Sequence, residues 1–288
     1  MSQTTSQLEF TDAGFEAFLQ SRSGEPDWLL AQRKAAWAAF QQMPWPTRRE
    51  EEWMRTDIRG FHLDRYALPA EAVDEAAELP RAALAEGVQL GGGIASLDSR
   101  TVRSRLEPQW ADKGVKFGSL SRLASQHCEL VQKHLFTRAV DPNYDRFAAL
   151  NAACWSGGCL LHVPRGVAVD QPFHVLAAVR DGGVDLPHTL VVLEEGAEAT
   201  LLVETAGFRE TDGGLHCGGI ELILKPGSRL RFVSLQDWGT GTWHFAHQKA
   251  LVDRDASLQW TIGALGAKLA KVNQQVALIG AGAQCQVN

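Results

Sequence analysis

Two groups of residues in this chain have the types and spacing for soft-metal or thiol chemistry. His216 and Cys217 sit in a glycine-rich stretch, Gly213-Gly214-Leu215-His216-Cys217-Gly218-Gly219. A cysteine there could hold a soft metal or carry a persulfide if a positive neighbour lowered its pKa. The plainer reading is a loop between two structural repeats. Trp243-His244-Phe245-Ala246-His247 is the densest histidine cluster. A tight turn would bring its two rings together. On a strand, positions i and i+3 face opposite sides, and the rings pack between repeats instead of sharing a metal. Cys154 and Cys159 have four residues between them, but no second short-spaced pair completes a zinc site. Cys154 reads as part of a helical core stripe and Cys285 as an inward strand residue. Glu194-Glu195 would point apart on a strand, so they form no acid/base pair. There is no nucleophile elbow, P-loop or H-E-x-x-H pattern. No catalytic residue is assigned, and the cofactor and metal positions stay unknown.

The elements that would position these residues repeat. A turn residue followed by a small one recurs as Gly166-Val167, Gly196-Ala197, Gly227-Ser228, Asp255-Ala256 and Gly282-Ala283. Apolar runs such as Leu190-Val191-Val192-Leu193 and Leu222-Ile223-Leu224 precede the turns. In the last four repeats the residues three and five past the turn are apolar: Ala199/Leu201, Leu230/Phe232, Leu258/Trp260 and Cys285/Val287. Their neighbours are mostly polar, as in Ser257-Leu258-Gln259-Trp260-Thr261. That alternation marks strands with one buried face. The spacing of about 30 residues predicts stacked β coils. It excludes a hexapeptide-type acyltransferase, which needs a six-residue period.

The first half reads as helical. Phe15, Phe18 and Leu19 give one short stripe. A second helix starts near Pro26, carries Leu29, Ala36, Phe40 and Met43, and is stopped by Pro44 and Pro46. Thr47-Arg48-Arg49-Glu50 fits a capping box, whose helix would set Trp53 and Asp57 near a partner surface. Residues 1–7 read as a frayed polar tail and 67–87 as a linker with short helical turns. Gly91-Gly92-Gly93 reads as a backbone break. Leu120, Leu123, Cys128, Val131 and Leu135 give one helical face, and Phe147, Leu150 and Cys154 another. Gly157-Gly158 ends the latter, and β structure follows.

Composition narrows the function classes. Of 288 residues, 45% are hydrophobic and 22% charged, which describes a globular chain. A net charge of −6 argues against nucleic-acid binding. Arg48-Arg49 and Arg100, Arg103 and Arg105 read as solvated faces. There is no secretory leader pattern and no apolar run long enough for a membrane span. The five cysteines read as free thiols of a cytoplasmic protein.

Four stretches together resemble one family. They are Glu25-Pro26-Asp27-Trp28-Leu29-Leu30 with Arg33 through Pro44-Trp45-Pro46-Thr47-Arg48-Arg49-Glu50-Glu51-Glu52-Trp53; Phe147–Trp155 with Gly157-Gly158, Val163-Pro164-Arg165-Gly166 and Gln171-Pro172; Glu194–Thr200; and His244–His247. In order and spacing they resemble the SufD side of the SufB/SufD family, the scaffold proteins of iron–sulfur cluster assembly. The resemblance implies N-terminal helices, a right-handed parallel β-helix and a C-terminal helical segment. It also implies a complex with SufB-like and SufC-like subunits, the latter an ATPase, supplied with sulfur by a cysteine desulfurase system. An iron–sulfur cluster and reduced flavin would belong to that complex, with none bound by this chain alone. In the family the segment that grips the ATPase, and the residues proposed for the nascent cluster, lie beyond the β-helix. The chain stops at Asn288, so no ligand residue is carried over, and the sequence reads as a fragment.

The expected architecture is therefore mainly β: a right-handed parallel β-helix preceded by an N-terminal α-helical region. Residues 1–110 are expected to form the helical region with its linker, 111–158 the connecting helices, and 159–288 a β-helix truncated at its C-terminal end. The expected role is a non-enzymatic scaffold without nucleic-acid or membrane partners. Open strand edges at the end make a homodimer an expectation as well. The competing expectation is a β-helix enzyme acting on polysaccharide, which the lack of a carboxylate cluster disfavours.

Overall fold

The computed structural model describes residues 8–69 and 77–288. The expected tail at 1–7 and the middle of the expected linker lie outside the described residues. After a short strand β1 (Leu8–Glu9) comes helix α1 (Asp12–Ser21). The Thr11 hydroxyl caps it by accepting from Gly14 N at 3.2 Å. Helix α2 (Asp27–Gln42) begins directly after Pro26 and ends at Met43, before Pro44. Phe15, Phe18, Leu29, Ala36, Trp37 and Phe40 are buried between them and the rest of the molecule. Strand β2 (Ala67–Leu68) pairs antiparallel with β1.

The Thr47–Glu50 box forms, but it opens no long helix. Glu50 Oε1 accepts from Thr47 N at 2.7 Å, and a single 3-10 turn, Glu51–Trp53, follows. Trp53 is buried against Phe147 and Phe245. The expectation that it faces a partner is therefore wrong: its large apolar ring is worth more inside than on a surface. Asp57 is exposed and engaged with Arg59 at 2.6 Å.

The glycines read as a backbone break open a pair of strands. β3 (Gly92–Leu97) and β4 (Arg100–Leu106) form an antiparallel hairpin. Its turn places Asp98 and Ser99 at φ 47° and 68°, the left-handed geometry that a two-residue hairpin turn requires. Gly92 is in the strand because a Cβ there would lie 2.7 Å from the Phe117 ring. A short helix α3 (Pro108–Asp112) and strand β5 (Lys116–Ser119) come next. The helical face expected from Leu120 to Leu135 is split into α4 (Leu120–Gln126) and α5 (Cys128–His134) by His127, which sits at φ −130°, ψ 51°. Helix α6 (Arg146–Cys154) is capped by Asp145, which accepts from Ala148 N at 2.8 Å, and it is buried on every side. A helix that is apolar all round belongs between layers. Here it lies between α2 and the solenoid.

The solenoid continues with β6 (Cys159–Val163), β7 (Phe173–Val179), β8 (Gly183–Asp185), β9 (His188–Leu193), β10 (Glu198–Gly207), β11 (Gly213–Leu224), β12 (Arg229–Asp237), β13 (Gly241–Val252), β14 (Ser257–Ala264), β15 (Leu269–Leu278) and β16 (Gln284–Val287). Strand order is β16-β14-β12-β10-β7-β3-β4 in one sheet and β15-β13-β11-β9-β6-β5 in the other, where β8 also pairs with β11. All solenoid pairings are parallel except β3–β4 and β5–β6. The chain thus winds between two facing parallel sheets as a β-helix of about five turns.

The repeat sets the register. Ala199, Leu230, Leu258 and Cys285 pair rung over rung, as do Leu201, Phe232, Trp260 and Val287. All five turn residues lie at positive φ, from 56° at Asp255 to 71° at Gly282. The columns from Ala199 to Trp260 are buried, each large side chain contributing on the order of 1.5–3 kcal/mol. Cys285 keeps the expected register but is only half-buried, and Val287 is exposed. Among the described residues β16 pairs only with β14, so one side of this rung is uncovered.

Candidate functional site

The facing sheets are not packed evenly. One column of the interior is Ser96, Ala177, Thr205, Gln236 and Ala264, and its neighbour is Ile94, Val175, Val203, Ser234 and Ile262. Opposite run His216-His244-Ala270, Gly218-Ala246-Val272 and Ile220-Gln248-Gln274. Small side chains in facing columns cannot meet. They leave a bore of about 410 Å³ lined by these residues. On the turn-proximal side, Leu201, Phe232, Leu222 and Trp260 fill the equivalent space.

His216 and His244 are adjacent rungs, with rings stacked at 4.3 Å. His216 Nδ1 donates to Asp185 Oδ2 at 2.8 Å, and Asp185 is fully buried. The Asp185 carboxylate is steadied by Ser99, whose hydroxyl also accepts from Leu186 N. The turn residue of the β3–β4 hairpin thus supports the histidine. His216 Nε2 lies over Gly218, where a Cβ would stand 2.6 Å from it. Trp238 Nε1 donates to His244 Nδ1 at 2.8 Å, so His244 carries its proton on Nε2. Burial, with His216 adding to it, holds His244 well below the usual histidine range.

The glycine-rich stretch is a strand, not a loop. Its glycines make room for histidines: a Cβ at Gly219 would meet His188 Nδ1 at 2.3 Å. His188 and Glu221, both fully buried, form a second centre that sequence reasoning missed. His188 Nε2 lies 3.0 Å from Glu221 Oε1 and Nδ1 3.0 Å from Asn151 Oδ1. Asn151 Nδ2 donates to the carbonyls of Pro187 and Cys217 at 3.0 and 2.9 Å. Glu221 also accepts from the backbone of Phe136 and Val140. This centre ties α6, the 135–140 segment and the solenoid together. The pair Gly218-Gly219 beside a histidine-bearing strand was the available signal.

The residues singled out in the sequence do not converge. Cys217 faces away from the bore, donating to Phe147 O at 3.4 Å, and burial raises its thiol well above the ordinary value. It is not the low-pKa thiol that persulfide chemistry needs. Burial pushes Cys154 and Cys159 up to about 12 each. They sit in different core clusters, and Cys159 approaches Thr189 instead. His244 and His247 face opposite sides, as a strand requires: His247 Nε2 stands 3.2 Å from Asp145 Oδ2, away from the bore. Glu194 faces His162 at 3.7 Å, whereas Glu195 pairs with Arg165 at 3.0 Å. Among the described residues no three His, Cys, Asp or Glu side chains gather closely enough to hold a metal ion. The buried protonated thiols and scattered histidines do not fit an iron–sulfur cluster held by the described part of this chain alone.

The resemblance stretches turn out to be fastenings. Arg33, fully buried, pairs with Glu25 at 2.7 Å, donates to the carbonyls of Ala153 and Trp155, and stacks on the Trp155 ring. Glu25, Arg33 and Trp155 therefore bind the first stretch to the second.

Two family models match the chain in tandem. Residues 15–175 match the "SufBD protein N-terminal region" and residues 175–288 the "SUF system FeS cluster assembly, SufBD core domain". The chain belongs to the SufBD family. SufBD relatives agree along most of its length. An "iron-sulfur cluster assembly SufBD family protein" of Staphylococcus aureus (strain MRSA252) is 26% identical over 281 residues, covering 92% of this chain and 59% of the relative. One of Staphylococcus haemolyticus (strain JCSC1435) is 26% identical over 275 residues, covering 90% and 58%. The chain thus spans about three-fifths of the length of these SufBD relatives. The boundary between the two SufBD matches falls in β7, so the N-terminal region already includes β3–β6.

Proposed function

We propose that this chain is a SufD-like scaffold subunit, or a large part of one, acting in iron–sulfur cluster assembly with SufB-like and SufC-like partners. The observation that carries it is the SufBD core match falling on coils whose side chains stack in register from Ala199 to Cys285. On the turn-proximal side, where Leu201, Leu222, Phe232 and Trp260 fill the interior, such continuous columns make a stiff rod, because close-packed side chains transmit displacement instead of absorbing it. A partner ATPase pushing on one part would move the rest. The chain contributes shape and surface, not chemistry, and works in the cytoplasm. Cluster and reduced flavin are cargo and cofactor of the complex, and sulfur arrives from a desulfurase system. The polysaccharide-enzyme reading gains no support: Glu194 and Glu195 diverge to separate partners.

The test is co-purification. The full-length protein is mixed with SufB-like and SufC-like subunits and run by size exclusion. A stable complex is expected, and separate elution of all three would overturn the reading. No helix among the described residues is long and apolar enough to cross a membrane.

A further inference from the structure

Of the buried solenoid atoms without a hydrogen-bond partner, four belong together: Thr205 Oγ1, Ser234 Oγ, Gln248 Oε1 and Gln274 Nε2. All four residues line the same bore. Thr205 and Gln248 are each only 9% exposed. A buried donor or acceptor left alone costs about 1–3 kcal/mol. Four around one space of about 410 Å³ mark a space built to be filled by something with matching polar groups.

The histidines define what that is. His216 donates its Nδ1–H to Asp185, which leaves the Nε2 lone pair over Gly218 in the bore wall as an acceptor. His244 on the next rung is the complement, with its Nε2 a donor because Trp238 occupies Nδ1. Among the described residues no Lys, Arg, Asp or Glu lines the bore. A charged molecule would lose its hydration there without a counter-charge. The remaining wall is apolar: Ile94, Val175 and Val203 are buried, and Ile262 and Val272 are exposed where the bore opens at the later coils.

We propose that this bore is a binding site for a small uncharged molecule with an apolar body and a hydroxyl-type donor. The donor rests on His216 Nε2, and Thr205, Ser234, Gln248 and Gln274 supply further polar contacts. Ala246 keeps the wall low enough for the apolar body to enter. The proposal stands apart from the assembly role and does not depend on any partner.

Phenol is the probe, with benzoate as its charged counterpart. Nitrogen-15-labelled histidine spectra and thermal melting are recorded while each is added. Phenol is expected to shift the His216 and His244 signals saturably and to raise the melting temperature, while benzoate leaves both unchanged. Ala246→Leu, which fills the bore, is expected to weaken phenol binding at least about tenfold. Ser234→Val, which keeps the shape and removes one hydroxyl, is the check should the leucine variant fail to fold, and it weakens binding less. The proposal is overturned by unsaturable or absent shifts with phenol, which would leave the bore to water alone. Equal binding of benzoate, or undiminished phenol binding in the folded variants, would overturn it too.

Discussion

Arg33 shows how much one side chain can decide here. It is fully buried, and among the described residues its charge is answered by Glu25, with two backbone carbonyls and the Trp155 face sharing its N–H groups and its flat surface. Removing one member of such a pair leaves a charge in a dry interior, which costs about 3–5 kcal/mol. Glu25→Ala is expected to lower unfolding stability by that amount in urea titrations. Adding Arg33→Met should restore part of it, since the stranded charge goes too. A loss under about 1 kcal/mol for Glu25→Ala would show that water reaches Arg33, contrary to its burial. The residue types of this pair were visible in the sequence. Their partnership with Trp155 was not, because more than a hundred residues separate them along the chain.

Gly227 sits at φ 69° with nothing nearer to a would-be Cβ than Gly196 N at 4.0 Å. Its replacement by alanine therefore isolates the backbone cost of left-handed geometry, about 1–2 kcal/mol. Asp255 holds the same place in the next coil at φ 56°. Asp255→Gly is expected to raise stability by up to about 1 kcal/mol, with both changes read from denaturant midpoints. Should the two substitutions act alike, the turns are not equivalent and the repeat is only approximate. The turn pattern was legible because glycine is the residue that adopts this geometry without strain. The β3–β4 hairpin escaped notice for the converse reason: Asp98-Ser99 is an unusual turn pair, and a triple glycine looks like a break until the Phe117 and Phe173 rings above it are known.

Over the whole molecule, buried histidines couple folding to pH. Burial, aided by Lys225 and Lys133, pushes His134 down to about 4. Burial also lowers His162, with Lys116 adding to it, and His244, with His216 adding to it. In each case the folded form holds its proton less tightly than the unfolded form, so the unfolded chain binds more protons as pH falls below about 6.5. Stability is therefore complete above that pH and declines steadily toward pH 4. Glu204 continues the loss at lower pH: burial alone would raise it, but His174 and the Leu84 and Ala83 amides outweigh that and depress it. Urea midpoints from pH 7 to 4 should fall, and His134→Gln should flatten the slope. A midpoint that does not change over this range would contradict the burial of these rings. The largest exposed apolar residues, among them Leu265, Leu278 and Val287, gather on the last coils, whereas earlier coils bury theirs.

The amino-acid order by itself determined the coil: a turn residue about every 30 positions and alternating apolar side chains leave a parallel stack as the arrangement that buries one face of every strand. It also determined the N-terminal helices, because their caps and stripes are local. Only the tertiary structure decided what the histidines and cysteines do. Which columns face each other across the solenoid depends on residues in separate coils, and the bore exists because small side chains in both sheets happen to oppose. His216 becomes an acceptor in that space through Asp185 and Ser99, which reach it from other coils, and no local pattern encodes such a meeting.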